Sequence, residues 1–187
     1  LLGYLDVPAD AYYGVHTARA VDNFPITGIK LAIYPLFIAA LAAVKQAAAT
    51  ANRDIGALDA AKADAIIAAA QEIRAGALHD QFVVDMIQGG AGTSTNMNAN
   101  EVVANRALEI LGHDRGEYAF LHPLQDVNLG QSTNDVYPTA INIALDAYVV
   151  KLDAALGVLH AAYLRKAAEF ADVLKMGRTQ LQDAVPM

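Results

Sequence analysis

The chain has 187 residues, a formal net charge of −7, no cysteine and no tryptophan, with hydrophobic residues at 55% and charged residues at 18%. That balance excludes disorder, and the missing cysteines exclude disulfide scaffolds, zinc–cysteine sites, iron–sulfur clusters and thiol nucleophiles. An acidic chain without a lysine/arginine stripe also argues against nucleic acid as a partner, and no apolar run reaches membrane-spanning length.

Alanine supplies 39 of the 187 residues, which favours closely packed helices over sheet. Residues 1–30 contain Gly3, Pro8, Gly14, Pro25 and Gly28 without a sustained helical period, and read as loops with at most a short hairpin. Leu36, Ile38, Leu41 and Val44 recur among alanines and predict a helix from Tyr34 to about Asn52. A second helix is expected from Asp59, as N-cap, to Ala75, with Gly76 closing it. His79 to Gln88 is apolar and ambiguous, and Gly89-Gly90-Ala91-Gly92 breaks the chain. A third helix is expected from Asn96 or Met97 to Leu111, stopped by Gly112, followed by a loop over 113–131.

The longest helix is predicted from near Asn134 to about Phe170. Ile141, Leu145, Tyr148, Leu152, Ala155, Leu159 and Tyr163 alternate steps of four and three, the pattern of a bundle seam. Such a helix is roughly 50 Å long at 1.5 Å per residue. Ile143, Val149, Val150 and Val158 lie off the seam, so neighbours are expected on more than one side and oligomerisation follows. The chain opens on Leu1 rather than methionine and stops at Met187 directly after a polar cluster, so it reads as a piece of a longer, soluble, cytoplasmic protein.

Its two serines fall in two clusters of uncharged donors. Ser94 lies in Gly92-Thr93-Ser94-Thr95-Asn96-Met97-Asn98-Ala99-Asn100-Glu101, and Ser132 in Gln131-Ser132-Thr133-Asn134-Asp135. Each precedes a predicted helix, whose free N–H groups and partial positive charge favour an anion. Hydroxyl and amide groups there suit a carboxylate held without a full ion pair. The plain alternative is N-capping, although asparagines at 96, 98 and 100 exceed what a cap needs. A third polar group, Gly177 to Asp183, contains Arg178, whose spacing favours an intramolecular ion pair over a carboxylate ligand. His16, His79, His113 and His160 lack ligand-like spacing, and His122 before Pro123 is the one histidine in a polar loop. Asp126 and Asp135 do not read as a paired acid/base. The glycine run lacks the Gly-Lys-Ser/Thr of a phosphate loop.

Ala11-Tyr12-Tyr13-Gly14-Val15-His16-Thr17, the stretch from Gly89 to Glu101, Gln131-Ser132-Thr133-Asn134-Asp135 and the run from Lys175 to Met187 together resemble the aspartase/fumarase superfamily, in order and spacing, over essentially the whole chain. The resemblance implies an all-α fold: a small N-terminal helical domain (1–134), then the first part of a long central helical bundle (135–187), with the remaining bundle and C-terminal domain absent. It implies a homotetramer with active sites shared between subunits, a small-molecule substrate, no nucleic-acid or membrane partner and no cofactor or metal. The implied reaction is reversible anti elimination of ammonia from L-aspartate to fumarate through an aci-carboxylate. By motif position, Ser132 and Thr133 match residues gripping the β-carboxylate, and Thr93 a residue near carboxylate and amine. Asn134 matches a contact of the amino group, and Thr179 with Gln180 the segment facing the α-carboxylate or leaving group. The family's serine base loop and its carboxylate-binding lysine are expected beyond Met187, so no catalytic base is assigned within these residues and this stretch alone is expected to be inactive. Gln180 stands where fumarate hydratases carry histidine and so favours the aspartase branch. Fumarate hydration on the same fold is the alternative, and a non-catalytic helical assembly module the alternative of a different class. His122-Pro123-Leu124-Gln125 departs from the His/Asn-Pro-Asn-Asp of many relatives, which puts any second anion site there in doubt.

Overall fold

Proline, glycine and capping residues punctuate an alanine-rich sequence, and helices fill the intervals between them. The computed structural model describes residues 3, 5–88 and 90–187. Its α-helices are α1 (Val15–Asn23), α2 (Pro35–Asp54), α3 (Ala60–Arg74), α4 (Thr93–Ile110) and α5 (Thr133–Glu169). Short 3-10 turns at Leu31–Ile33 and His79–Gln81 and a π-turn at Pro123–Val127 connect them. The fold is helical as expected. The departure is a small antiparallel hairpin, β1 (Met176–Thr179) and β2 (Gln182–Pro186), where the sequence showed only a polar cluster.

The chain divides into two compact units, Leu1–Ala147 and Tyr148–Met187. In the first, Pro35 starts α2, where a missing N–H costs nothing. Ile38, Leu41, Ala42 and Ala49 of α2 are buried, as are Ala63, Ile66, Ala69, Ala70 and Ile73 of α3. The two helices pack together, and small side chains let their backbones approach. Asp59 caps α3 as predicted, its Oδ1 accepting from the Lys62 N–H at 3.1 Å.

The centre of this unit is α4, in which every residue from Thr95 to Asn105 is buried. It packs against α1, α2, α3 and the π-turn. Arg106 donates to both oxygens of Glu72 at 2.6 and 2.9 Å, joining α4 to α3. The buried asparagines act as stitches: Asn98 accepts from the Val83 N–H and donates to the Gln81 carbonyl, both at 3.0 Å. Asn105 donates to the Tyr12 carbonyl at 2.7 Å and accepts from the Gly116 N–H at 2.8 Å.

Helix α1 replaces the loop expected within 1–30, and its cap explains why it was invisible. Gly14 supplies no side-chain cap. The Glu101 carboxylate of α4 does, accepting from the N–H groups of Gly14, His16 and Thr17 at 2.8, 2.9 and 3.1 Å and from the Thr17 hydroxyl at 2.7 Å. A Cβ on Gly14 would lie 2.7 Å from the Tyr118 hydroxyl and 2.9 Å from Glu101 Oε1, so glycine is required by close approach. Burial and the Glu101 charge push the Tyr118 phenol up to about 12, against a hydrogen bond from Asn105. Nearby in sequence, Asp85 gathers the corner at Thr27–Ile29, accepting from the N–H groups of Thr27 and Gly28 at 2.7 and 2.9 Å and from the Thr27 hydroxyl at 2.8 Å.

The second unit holds the later turns of α5 and the hairpin. Leu152, Leu159 and Tyr163 of the predicted seam are 58%, 50% and 68% exposed. The hairpin pairs Arg178 with Asp183 and Thr179 with Gln182 across its strands. No helix among the described residues is long and apolar enough to cross a membrane.

Candidate functional site

The start of α5 is built by its own sequence. The Ser132 carbonyl accepts from the Asp135 and Val136 N–H groups, both at 3.0 Å, and its Oγ accepts from the Asn134 N–H at 3.2 Å, so Ser132 is the N-cap. Thr133 is half-buried and Asn134 exposed. Pro138 lies inside the helix, and with no N–H it cannot bond the carbonyl four residues earlier, which is that of Asn134. The first turn presents a hydroxyl and an amide.

The start of α4 is shaped by a glycine. Gly92 has φ 85° and gives no side-chain cap, and a Cβ there would overlap the ring of Tyr137 from α5. Tyr137 also meets Phe37 of α2 edge to face, with ring centroids 5.6 Å apart. Burial raises the Tyr137 phenol above its ordinary value, against a hydrogen bond with Thr95 that lowers it. Gln88 accepts from the Thr95 N–H at 2.9 Å and donates to its hydroxyl. The helix itself offers no partner to the N–H groups of Thr93 and Ser94, and the Thr93 side chain is exposed.

A buried polar cluster joins the two helix starts. Asn96 donates to Thr133 Oγ1 at 3.1 Å and to Asn128 Oδ1 at 3.0 Å. Beneath them Lys45 of α2 is fully buried, and its Nζ donates to Asn96 Oδ1, Asn128 Oδ1 and Gln131 Oε1 at 2.7, 3.0 and 2.9 Å. Burial lowers its pKa to about 7. Three neutral amide oxygens, rather than a carboxylate, accept from this ammonium. The assembly is thus a patch of hydroxyl, amide and backbone donors over a buried cation, which favours an anionic ligand without a direct ion pair.

With this geometry in view, comparison with known proteins is informative. A family model described as "Lyase" matches residues 3–187. The chain belongs to this lyase family. It is 62% identical to the aspartate ammonia-lyase of Pseudomonas aeruginosa over 187 residues, covering all of this chain and 40% of that protein. The crystal structure of a fumarate lyase:delta crystallin from Brucella melitensis superposes with a TM-score of 0.92 at 56% identity, covering all of this chain and 42% of that one. A class II fumarase from Schistosoma mansoni follows at a TM-score of 0.79 and 37% identity, covering all of this chain and 39% of that one. The chain therefore spans about 40% of the length of the curated relative it matches.

Of the residues singled out from sequence, the structure brings the helix starts bearing Thr93, Ser132, Thr133 and Asn134 together, through Asn96 with Thr133 and Tyr137 with Gly92. Thr179 and Gln180 belong to the second unit: Thr179 ends β1, and Gln180 sits in the hairpin turn at φ 52°. Arg178 makes the expected intramolecular ion pair, with Asp183 at 3.1 Å. His122 is structural, its Nδ1 accepting from the N–H groups of Leu124 and Gln125 at 3.0 and 3.3 Å. Asp126 pairs with Lys62 at 3.0 Å and not with Asp135. Gly89, the first glycine of the break, lies outside the described residues. Sequence reasoning missed Lys45, Asn128 and Tyr137. Lys45 did carry a signal, as a charge inside an otherwise apolar run.

Proposed function

We propose that the full-length protein eliminates ammonia from L-aspartate to give fumarate, reversibly and with anti geometry. The observation that carries this reading is the pair of helix starts, coupled by Asn96 and Thr133, that present neutral donors above Lys45. The 62% identity to an aspartate ammonia-lyase, against 37% to a fumarase, supports aspartate over malate. Gln180, at the position where fumarate hydratases carry histidine, supports it too.

The bond to be broken is a weakly acidic C–H next to the β-carboxylate. Removing its proton drives charge into that carboxylate, and each preorganised donor aimed at it lowers the barrier by roughly 3 kcal/mol. In this reading Ser132 and Thr133 hold the β-carboxylate, Asn134 the amino group, and Thr93 lies near both. Thr179 and Gln180 face the α-carboxylate or the departing ammonia. The serine base is supplied from outside these 187 residues, and residues 1–134 and 135–187 belong to successive domains of a cytoplasmic homotetramer. The exposed seam of α5 supports assembly, since large apolar side chains are ordinarily covered.

The test is to incubate the purified full-length protein with L-aspartate or with malate and follow fumarate absorbance. Fumarate from aspartate is the expected result; a signal from malate alone would replace this reading with fumarate hydration, and no signal from either would remove both.

A further inference from the structure

We propose that Lys45 is a positioning residue: by claiming three amide oxygens it sets the direction of the Asn96 amide, and through Asn96 it makes the Thr133 hydroxyl an outward-facing hydrogen-bond donor. This inference rests on the dicarboxylate reading of the site given above.

An ammonium group has three N–H bonds and no acceptor, and the three of Lys45 go to Asn96 Oδ1, Asn128 Oδ1 and Gln131 Oε1. Each amide whose oxygen faces the lysine must send its NH2 group elsewhere. Asn128 sends it to the Gln131 carbonyl at 3.0 Å, and Gln131 sends it to the Val127 carbonyl at 2.8 Å. Asn96 sends it to Asn128 Oδ1 and to Thr133 Oγ1. A flipped Asn96 would set NH2 against the ammonium, donor facing donor. Thr133 Oγ1 is therefore held as an acceptor on its inner side, which leaves its own proton to be given outward.

Asn100 shows how strongly this polarity is imposed. Its NH2 group donates to Asn128 Oδ1 at 3.2 Å, and its own Oδ1 is buried without a hydrogen-bond partner. Turning that amide would set two oxygens face to face, because Asn128 Oδ1 already points inward to Lys45. The cluster tolerates an orphaned acceptor rather than reverse the direction that the lysine sets. Without the ammonium, Asn96 can flip once Asn128, whose Oδ1 accepts from the same NH2 group, turns with it. The Asn96 oxygen would then accept from the Thr133 hydroxyl, and the proton needed by a bound carboxylate would point into the protein.

The experiment uses the full-length protein and succinate, a dicarboxylate with no group to eliminate, with binding read by calorimetry alongside steady-state turnover of L-aspartate. Lys45→Met keeps an unbranched chain and removes the charge; Thr133→Val keeps the shape and removes the hydroxyl. Each is expected to weaken succinate binding about tenfold, while Lys45→Met in the Thr133→Val background costs less than about twofold, because the hydroxyl it orients is already gone. Asn96→Asp covers the case in which Lys45→Met fails to fold. Its carboxylate pairs with Lys45, which offsets its contact with Asn128 Oδ1, and accepts from the Thr133 hydroxyl, so it should stay folded, and most of its loss of binding should vanish in the Thr133→Val background. Losses that multiply in the double variants, or a folded Lys45→Met that binds succinate as the wild type does, would overturn the positioning role alone. A wild-type protein that neither binds succinate nor releases fumarate would overturn the reading of the site and this inference together.

Discussion

Helices α4 and the later part of α5 reverse the usual relation between polarity and burial. From Thr95 to Asn105, α4 carries four asparagines, a glutamate and a threonine, and all are buried. From Tyr148 onward, α5 carries leucine, valine and tyrosine, and Val150, Leu152 and Val158 are exposed. A polar group can be buried when its hydrogen bonds are made, and the α4 side chains find theirs in segments far away in sequence. An apolar face is covered only if something lies against it. Polarity alone therefore decides neither helix's place; the availability of partners does.

The comparison breaks most sharply at Glu101. Glu101→Ala should lower stability by about 3 kcal/mol or more, because it strands three N–H groups and a hydroxyl around a buried site. Denaturant unfolding would measure this, and an unchanged midpoint would mean that α1 does not need the carboxylate. In the full-length protein, Thr133→Ala should cut kcat/KM by about a hundredfold, about tenfold of it through weaker binding, with little change in melting temperature. Ser132→Ala should do both, losing turnover and about 1 kcal/mol of stability, since this residue is also the N-cap. A Ser132→Ala protein with normal turnover and a lowered melting point would reduce Ser132 to a cap.

On the exposed side, Leu152→Glu with Leu159→Glu should change the stability of residues 1–147 by no more than about 0.5 kcal/mol, while shifting the full-length protein toward smaller species in sedimentation. A full-size assembly would mean that this seam lies outside the interface. The smallest effect is at Asp85. Burial works against its charge, yet hydrogen bonds from the Ile87 N–H, the Thr27 hydroxyl and the N–H groups of Thr27 and Gly28 bring its pKa down from 3.8 to about 2. A depressed carboxylate stabilises the fold above its unfolded pKa and loses that contribution as pH falls through the folded value. The protection of the Thr27–Ile29 amides, corrected for intrinsic exchange, should therefore fall as pH drops from about 4 to about 2, and Asp85→Asn should remove the dependence.

The legible parts of the molecule were those specified locally. The alanine and leucine period placed α2, the Asp59 cap placed α3, and the seam placed α5 to within a residue at either end. Helix α4 begins at Thr93, three residues ahead of the expected start, because its N-cap is Gly92 in the left-handed region and not a side chain. The Lys45 cluster depends on contacts between α2, α4 and residues 128–133 that no window of sequence contains. At the site, the donor clusters stood out because serine is otherwise missing from the chain, whereas the lysine beneath them was hidden in a run that otherwise reads as core. Capping or ligand binding also proved too narrow a choice for the asparagines. Asn98 does neither, and stitches Gln81–Val83 to α4.

The cap that Glu101 places on α1 has a consequence for the order of events during synthesis. A helix of nine residues is marginal in water without tertiary support, and here its cap lies 87 residues downstream of Gly14. Until Glu101 has left the ribosome, the segment from Gly14 to Asn23 has no carboxylate to organise it. It closes onto α4 only after that helix has emerged. Helix α1 is therefore expected to form after α2 and α3, and pulse-labelled amide protection at Val15–Asn23 should lag behind theirs.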